Sequence, residues 1–212
     1  MGFKLPLFPL KTVLFPGSQM VLRVFEPRYV AMLNDILKDE LPFGVVFCTN
    51  MENETGTMAA VGCLAHITEY TSFDDGTWLI KVEGGERFRI TRLHQNQPYL
   101  TADIDALDED VDMALDDPVF TSIQQLLEIY RDLLDDIDPD MVQEMPEDLS
   151  GVDLTFLAMD QLILPDERRQ AMLEISSLRV RCAQTLDLLR KEIETLRFLL
   201  EDMDDEPARQ VN

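Results

Sequence analysis

The sequence predicts an α+β protein: a small barrel-like or sandwich β part with one inserted helix, then a helical part ending in a long helix. Three observations predict it. Over residues 1–105, short apolar runs alternate with Pro, Gly and Asp-Gly turn signals, the pattern of a compact β unit. From Asp103 to Asp117 the chain carries eight acids and no base, marking a boundary. Beyond it, apolar residues recur at spacings of three and four, the period of helices buried on one face. The expected organisation is a β subdomain over 1–105, an acidic linker over 106–117, a helical subdomain over 118–203 and a flexible acidic tail over 204–212.

The opening stretch, Leu5 to Tyr29, is apolar and punctuated by Pro6, Pro9, Pro16 and Pro27. Proline fixes φ, removes a donor and drives the preceding residue extended, so Leu5, Phe8 and Phe15 should be extended. Phe15-Pro16-Gly17-Ser18 should turn, because Pro presets φ and Gly admits positive φ. Met20 to Phe25 reads as a strand with Met20, Leu22 and Val24 on one face. Glu26-Pro27 then opens a helix to Lys38, since Pro is tolerated at a first helical position. Its stripe is Tyr29, Met32, Leu33, Ile36 and Leu37.

Phe43 to Cys48 is a short apolar run, expected as a buried strand, and Thr49 to Thr57 reads as a mobile polar loop. Val61 to Tyr70 alternates as a strand. Asp74-Asp75-Gly76 turns it back into Trp78 to Val82. Gly84-Gly85 predicts another turn, followed by a strand from Arg87 to Leu93 and a last one from Tyr99 to Ile104. In the helical part, Asp117-Pro118 supplies a capping carboxylate and a first-turn Pro. Val119, Ile123, Leu126, Leu127, Tyr130, Leu133 and Leu134 form the stripe that follows. A loop with Pro139 and Pro146 leads to a short helix over about 153–162. Pro165-Asp166 opens the last helix, where Ile175, Cys182, Leu189 and Leu196 recur every seven residues with Leu186, Ile193 and Leu200 between them. That heptad fits packing inside the chain or a coiled-coil contact to another chain; Leu178, Leu188, Phe198 and Leu199 widen the stripe toward the first.

Leu5-Pro6-Leu7-Phe8-Pro9-Leu10, Leu14-Phe15-Pro16-Gly17 and Phe25-Glu26-Pro27-Arg28-Tyr29 with Met32 resemble the start of the Lon protease N-terminal, substrate-binding domain. Gly62, Ala65, Ile67, Asp75-Gly76, Gly85-x-Arg87-Phe88-x-Ile90, Pro98-Tyr99, Ile163-Leu164-Pro165 and Met172-Leu173-Glu174 continue the likeness over nearly the whole chain. The resemblance implies a PUA-like β pseudo-barrel followed by a helical part. It also implies that Phe15, Pro16, Gly17, Phe25, Glu26, Pro27, Arg28 and Tyr29 are scaffold residues. The sequence departs from the full proteases at their catalytic elements. It has no Gly-x-x-x-x-Gly-Lys-Ser/Thr loop to cradle phosphates, and no Gly-Pro-Ser-Ala-Gly stretch for a nucleophilic Ser paired with Lys. It is expected not to be an enzyme.

Composition excludes further classes. The formal net charge of −23 repels phosphate backbones and anionic surfaces, so neither nucleic acid nor membrane is an expected partner. No apolar run reaches the roughly 18 residues of a membrane span, and Met-Gly-Phe-Lys does not begin a signal peptide, so a cytoplasmic protein is expected. Cys48, Cys63 and Cys182 are isolated, and only His66 and His94 accompany them, so no cofactor and no metal site is expected. Asp108, Asp110 and Asp112 imitate the start of an EF-hand loop, but Met113 and Val119 stand where the turn glycine and closing glutamate belong.

The candidate polypeptide-binding surface is Met51, Phe73 and Trp78: two aromatic residues flanking the predicted hairpin turn and a pliable Met in a polar loop. The resemblance implies a non-catalytic polypeptide-recognition module, binding unfolded or client polypeptides as an adaptor for proteolysis or quality control, with a separate ATP-dependent protease as a partner. A monomer or weak homodimer is expected. A small-molecule-binding or sensing domain is the alternative.

Overall fold

The computed structural model describes residues 4–52, 54–114, 116–139, 142, 146 and 149–209. Its contacts fall into two units. The first comprises 1–109 with 165–176, the second 110–164 with 177–212.

In the first unit, six strands are joined in the order β2-β5-β4-β3-β1-β6: β1 (Leu5–Leu10), β2 (Gln19–Val24), β3 (Phe43–Cys48), β4 (Met58–Ser72), β5 (Trp78–His94) and β6 (Thr101–Ala106). A further pairing of β5 with β6 closes five of them into a ring, and β2 extends from β5. Among the described strand pairs β1 and β3 alone run parallel. The prolines of β1 leave its ladder incomplete, yet five of its six residues are buried. Glu26 is extended, Pro27 opens α1 (Pro27–Ile36), and Tyr29, Met32, Leu33 and Ile36 turn inward. They join Phe8, Leu14, Val45, Ile80 and Val82 in one apolar cluster. Tyr29 stacks on Phe8 with ring centres 4.1 Å apart. A second cluster gathers Leu5, Leu7, Val46, Phe88, Leu100 and Ala102.

Gly17, at φ +76°, turns the chain before β2, and its N–H donates to the Gly84 carbonyl at 2.8 Å. Gly85 follows Gly84 without interrupting the strand. The turn expected at Gly84-Gly85 is therefore absent, and β5 runs unbroken from Trp78 to His94. Between the pairs Cys63↔Arg87 and Ala65↔Gly84 the ladder shifts register, with Gly85 and Glu86 of β5 standing opposite Leu64 alone, so the glycine pair forms a bulge within the strand. The loop expected over Thr49–Thr57 includes a single helical turn, α2 (Glu54–Thr57).

The expected long helix from Pro165 is two helices, α5 (Asp166–Leu173) and α6 (Leu178–Arg209). The break has a physical cause. Arg87, 3% exposed on β5, donates to the carbonyls of Leu173 at 2.6 Å and Ile175 at 2.8 Å and pairs with Glu109. These carbonyls end α5, so Ile175 belongs to no heptad. The same unit is secured by Gln170, whose side-chain amide donates to the Val61 carbonyl at 3.0 Å.

The second unit packs α3 (Pro118–Ile137), α4 (Gly151–Gln161) and α6. Asp117 caps α3 by accepting from the Val119 N–H at 2.9 Å. The inward face of α3 is Ile123, Leu127, Tyr130 and Leu134. Arg181, fully buried on α6, donates to the Thr155 hydroxyl at 2.8 Å and lies 4.2 Å from the Phe156 ring centre. Of the EF-hand-like acids, Asp112 accepts from the Arg179 N–H at 2.9 Å and from the Ser177 hydroxyl at 2.8 Å. Those bonds hold its carboxyl below the usual carboxylate range and fasten the start of α6. The expected tail at 204–212 lies partly outside the described residues.

Candidate functional site

The β4–β5 hairpin is closed by Phe73-Asp74-Asp75-Gly76-Thr77. The Gly76 N–H donates to the Phe73 carbonyl, and the Phe73 N–H to the Thr77 carbonyl at 2.9 Å. Gly76 takes φ +81°, which the turn requires. Asp75 accepts from the Thr77 hydroxyl at 2.7 Å and its N–H at 2.9 Å, holding the Asp75 carboxyl below its usual range. This rigid turn carries the sequence-predicted aromatics. Phe73 is exposed. Trp78 is half-buried and packs against the first apolar cluster, so it is partly a core residue. Tyr70 is 57% exposed and tilts against Trp78 with ring centres 5.9 Å apart.

Beside them runs a groove of about 380 Å³, walled by Ile36, Leu37 and Leu41 on one side and His66, Ile67, Thr68 and Tyr70 on the other. Glu40 also lines it, in the left-handed region at φ 51°, where the chain leaves a 3-10 turn toward β3. The third predicted residue, Met51, lines a different recess of about 350 Å³ with Arg28, Glu52, Gln95, Gln97 and Tyr99. That recess is polar. At its edge the Tyr99 hydroxyl donates to Asp35 at 2.8 Å, and burial with this bond pushes Tyr99 up to about 12. The structure thus places Phe73 and Trp78 at one hairpin end and Met51 on another surface.

The residues expected as scaffold have unlike surroundings. Phe15 is fully buried beneath the Arg169 guanidinium, 5.2 Å from its ring centre. Glu26 pairs with Arg28 at 2.9 Å, and Arg28 lies 4.5 Å from the centre of the Tyr29 ring. Phe25 is different. It is 65% exposed at the end of β2 and belongs to the surface rather than the core.

No arrangement suited to acid–base or nucleophilic chemistry converges on either recess among the described residues. Burial pushes the Cys63 thiol well above its usual value and Cys182 to about 11, so both are inert small hydrophobes. His94 hydrogen-bonds Asp103 at 2.8 Å near the end of β5, which lowers the Asp103 carboxyl. Among the described residues no group of three or more His, Cys, Asp or Glu is placed to hold a metal ion, and no helix is long and apolar enough to cross a membrane. The groove itself was missed in the sequence, although one signal pointed to it. The run Phe43–Cys48 is too short to flank all of the run Val61–Tyr70.

Three comparisons bear on this geometry. A family model described as the ATP-dependent protease La (LON) substrate-binding domain matches residues 4–191. Lon protease 2 of Myxococcus xanthus is 28% identical over 205 residues, covering 92% of this chain and 24% of the relative. The Lon protease of Anaeromyxobacter dehalogenans is 28% identical over 201 residues, with the same coverage. The chain therefore spans about a quarter of the length of these relatives. Among solved structures, the Lon N-terminal domain protein from Xanthomonas campestris superposes with a TM-score of 0.68 at 27% identity, covering 87% of this chain and 98% of that one. The N-terminal domain of Mycobacterium avium complex Lon protease does so at 0.64 and 13% identity, covering 89% and 98%, a likeness of fold.

Proposed function

We propose a polypeptide-recognition role on the premise that the chain belongs to the family of Lon substrate-binding domains. The function is to hold exposed apolar segments of non-native polypeptides, without chemistry of its own, and to hand them to a separate ATP-dependent protease or quality-control machine. One observation carries this reading most directly. A groove that mixes apolar residues (Ile36, Leu37, Leu41, Ile67) with Glu40, His66 and Thr68 runs beside exposed aromatic rings, Tyr70 and Phe73, near one hairpin end. Neighbouring exposed aromatic groups beside a groove are the kind of contiguous surface that marks a contact site.

The test is binding of a permanently unfolded basic protein, such as reduced and carboxamidomethylated lysozyme, followed by fluorescence anisotropy. Saturable binding of the unfolded form and none of the native form is the expected result. Equal binding of both, or of neither, overturns the reading. The polar recess around Met51, Gln95 and Gln97 favours the small-molecule alternative. A thermal shift with a small polar ligand, absent with unfolded protein, would select it.

A further inference from the structure

The groove has a second property beyond its mixed apolar and polar lining: one wall is an unfinished strand. β3 pairs with β4 only from Cys48↔Met58 to Phe43↔Ala65. β5 accompanies β4 from Val61↔Arg89 to Ser72↔Trp78. From His66 to Ser72, β4 therefore has a neighbour on one side alone among the described strands. The direction of its open hydrogen-bonding groups follows from the hairpin. Phe73 N–H bonds to Thr77, so Phe73 faces β5, and in an antiparallel ladder alternate residues do the same. Thr71 and Glu69 face β5; Tyr70 and Ser72 turn their N–H and C=O groups to the open side. No described residue bonds to these groups. The groove lies along that open side, where Leu41 and Glu40 lead into β3.

We propose that an extended client segment adds to the open edge of β4 over Ile67–Ser72 as a continuation of β3, seats an apolar side chain between Leu37, Leu41 and Ile67, and is selected for flanking Lys or Arg. The inference rests on the polypeptide-recognition reading above and specifies its binding mode. An added strand answers the open groups of Tyr70 and Ser72, and side chains of one parity enter the groove. Charge supplies the third element. Glu40 lines the groove, and Glu69, Asp74 and Asp75 follow along the hairpin, where Lys81 stands 3.7 Å from Glu69 and Arg23 acts on Asp75, two bases against four acids. A chain of net charge −23 repels acidic segments and attracts basic ones.

The test uses the whole chain and a fluorescent peptide of alternating Leu or Val and Lys. Two N-methylated versions carry methyl groups on alternate amides, in the two possible phases. The unmodified peptide is expected to bind, one N-methylated phase to bind as well, and the other to bind at least about tenfold more weakly. Ser72→Pro, which removes an N–H that the β5 ladder does not use, is expected to weaken the peptide similarly while the melting curve stays in place. Glu40→Lys with Glu69→Lys is expected to weaken the Lys peptide and to strengthen one with Glu in place of Lys. If both N-methylated phases bind as well as the parent, strand addition is wrong, although the recognition reading stands. If Ser72→Pro unfolds, the N-methyl comparison on the unaltered protein decides. If neither the peptide nor unfolded lysozyme binds, the recognition reading fails with it.

Discussion

The two halves of β4 are built from one continuous strand and do opposite work. From Val61 to Ala65 the strand lies between β3 and β5, with Val61, Cys63 and Ala65 essentially inaccessible. Arg87 stands opposite Cys63, and the carbonyl of Val61 receives Gln170. From Glu69 to Ser72 every residue is exposed. The difference lies in neighbours rather than in propensity, since both halves are rich in strand-forming residues. Stability is concentrated in the half flanked on both sides. The other half is held only by its hairpin, and its surface is free to meet a partner.

If that division is right, substitutions should sort by which half they touch. The largest loss is expected for Arg87→Leu, which leaves Glu109 and two carbonyls without the guanidinium; removing one partner of a buried pair costs about 3–5 kcal/mol. Urea unfolding followed by circular dichroism measures it. Next is Gly62→Ala. An added Cβ would stand 2.6 Å from the Val45 carbonyl oxygen and 2.6 Å from the Phe88 ring, an overpacking worth about 1–3 kcal/mol, read from the shift of the urea midpoint. Gln170→Ala removes the bond to Val61 and should cost about 1 kcal/mol in the same assay.

Alkali tests the buried half in another way. Cys63, and Tyr99 on the way into β6, hold their protons more tightly folded than unfolded. Their contribution is complete below the unfolded values and falls as pH rises, for Tyr99 across about 10 to about 12. Tyr99→Phe should flatten that fall in chemical melts taken at successive pH values. The smallest effect is expected at the open half. Tyr70→Ser should move stability by no more than about 0.5 kcal/mol yet weaken capture of unfolded protein. A large loss of stability there would erase the distinction between the halves.

The sequence made the local grammar of the fold legible. The Pro-punctuated start gave β1, the turn at Gly17 and the opening of α1. The stripe from Tyr29 to Ile36 gave the buried face, and Asp117-Pro118 gave the cap of α3. What it hid depends on residues distant along the chain. Gly84-Gly85 reads as a turn, and only its pairing with β4, which takes Gly85 and Glu86 as a bulge opposite Leu64, explains why β5 continues. Arg87 reads only as the start of a strand, and Leu173 and Ile175 explain its burial and the end of α5. At the candidate site, Phe73 and the hairpin turn were legible, because turn chemistry is local. The open edge of β4 was not, because it is a mismatch between the lengths of two strands rather than a motif.

The buried arginine also sets a timetable for biosynthesis. The carbonyl that Arg87 first grips at α5 lies 86 residues further along the chain. At roughly 5–20 residues per second, a ribosome needs about 4–17 s to deliver it. Through that interval the nascent β unit carries an interior cation without its Leu173 and Ile175 carbonyls, a state open to chaperones and premature cleavage. A chain severed after Glu109 would be arrested there, so cutting at the acidic boundary should yield a barrel that unfolds at lower urea than the same unit within the whole protein.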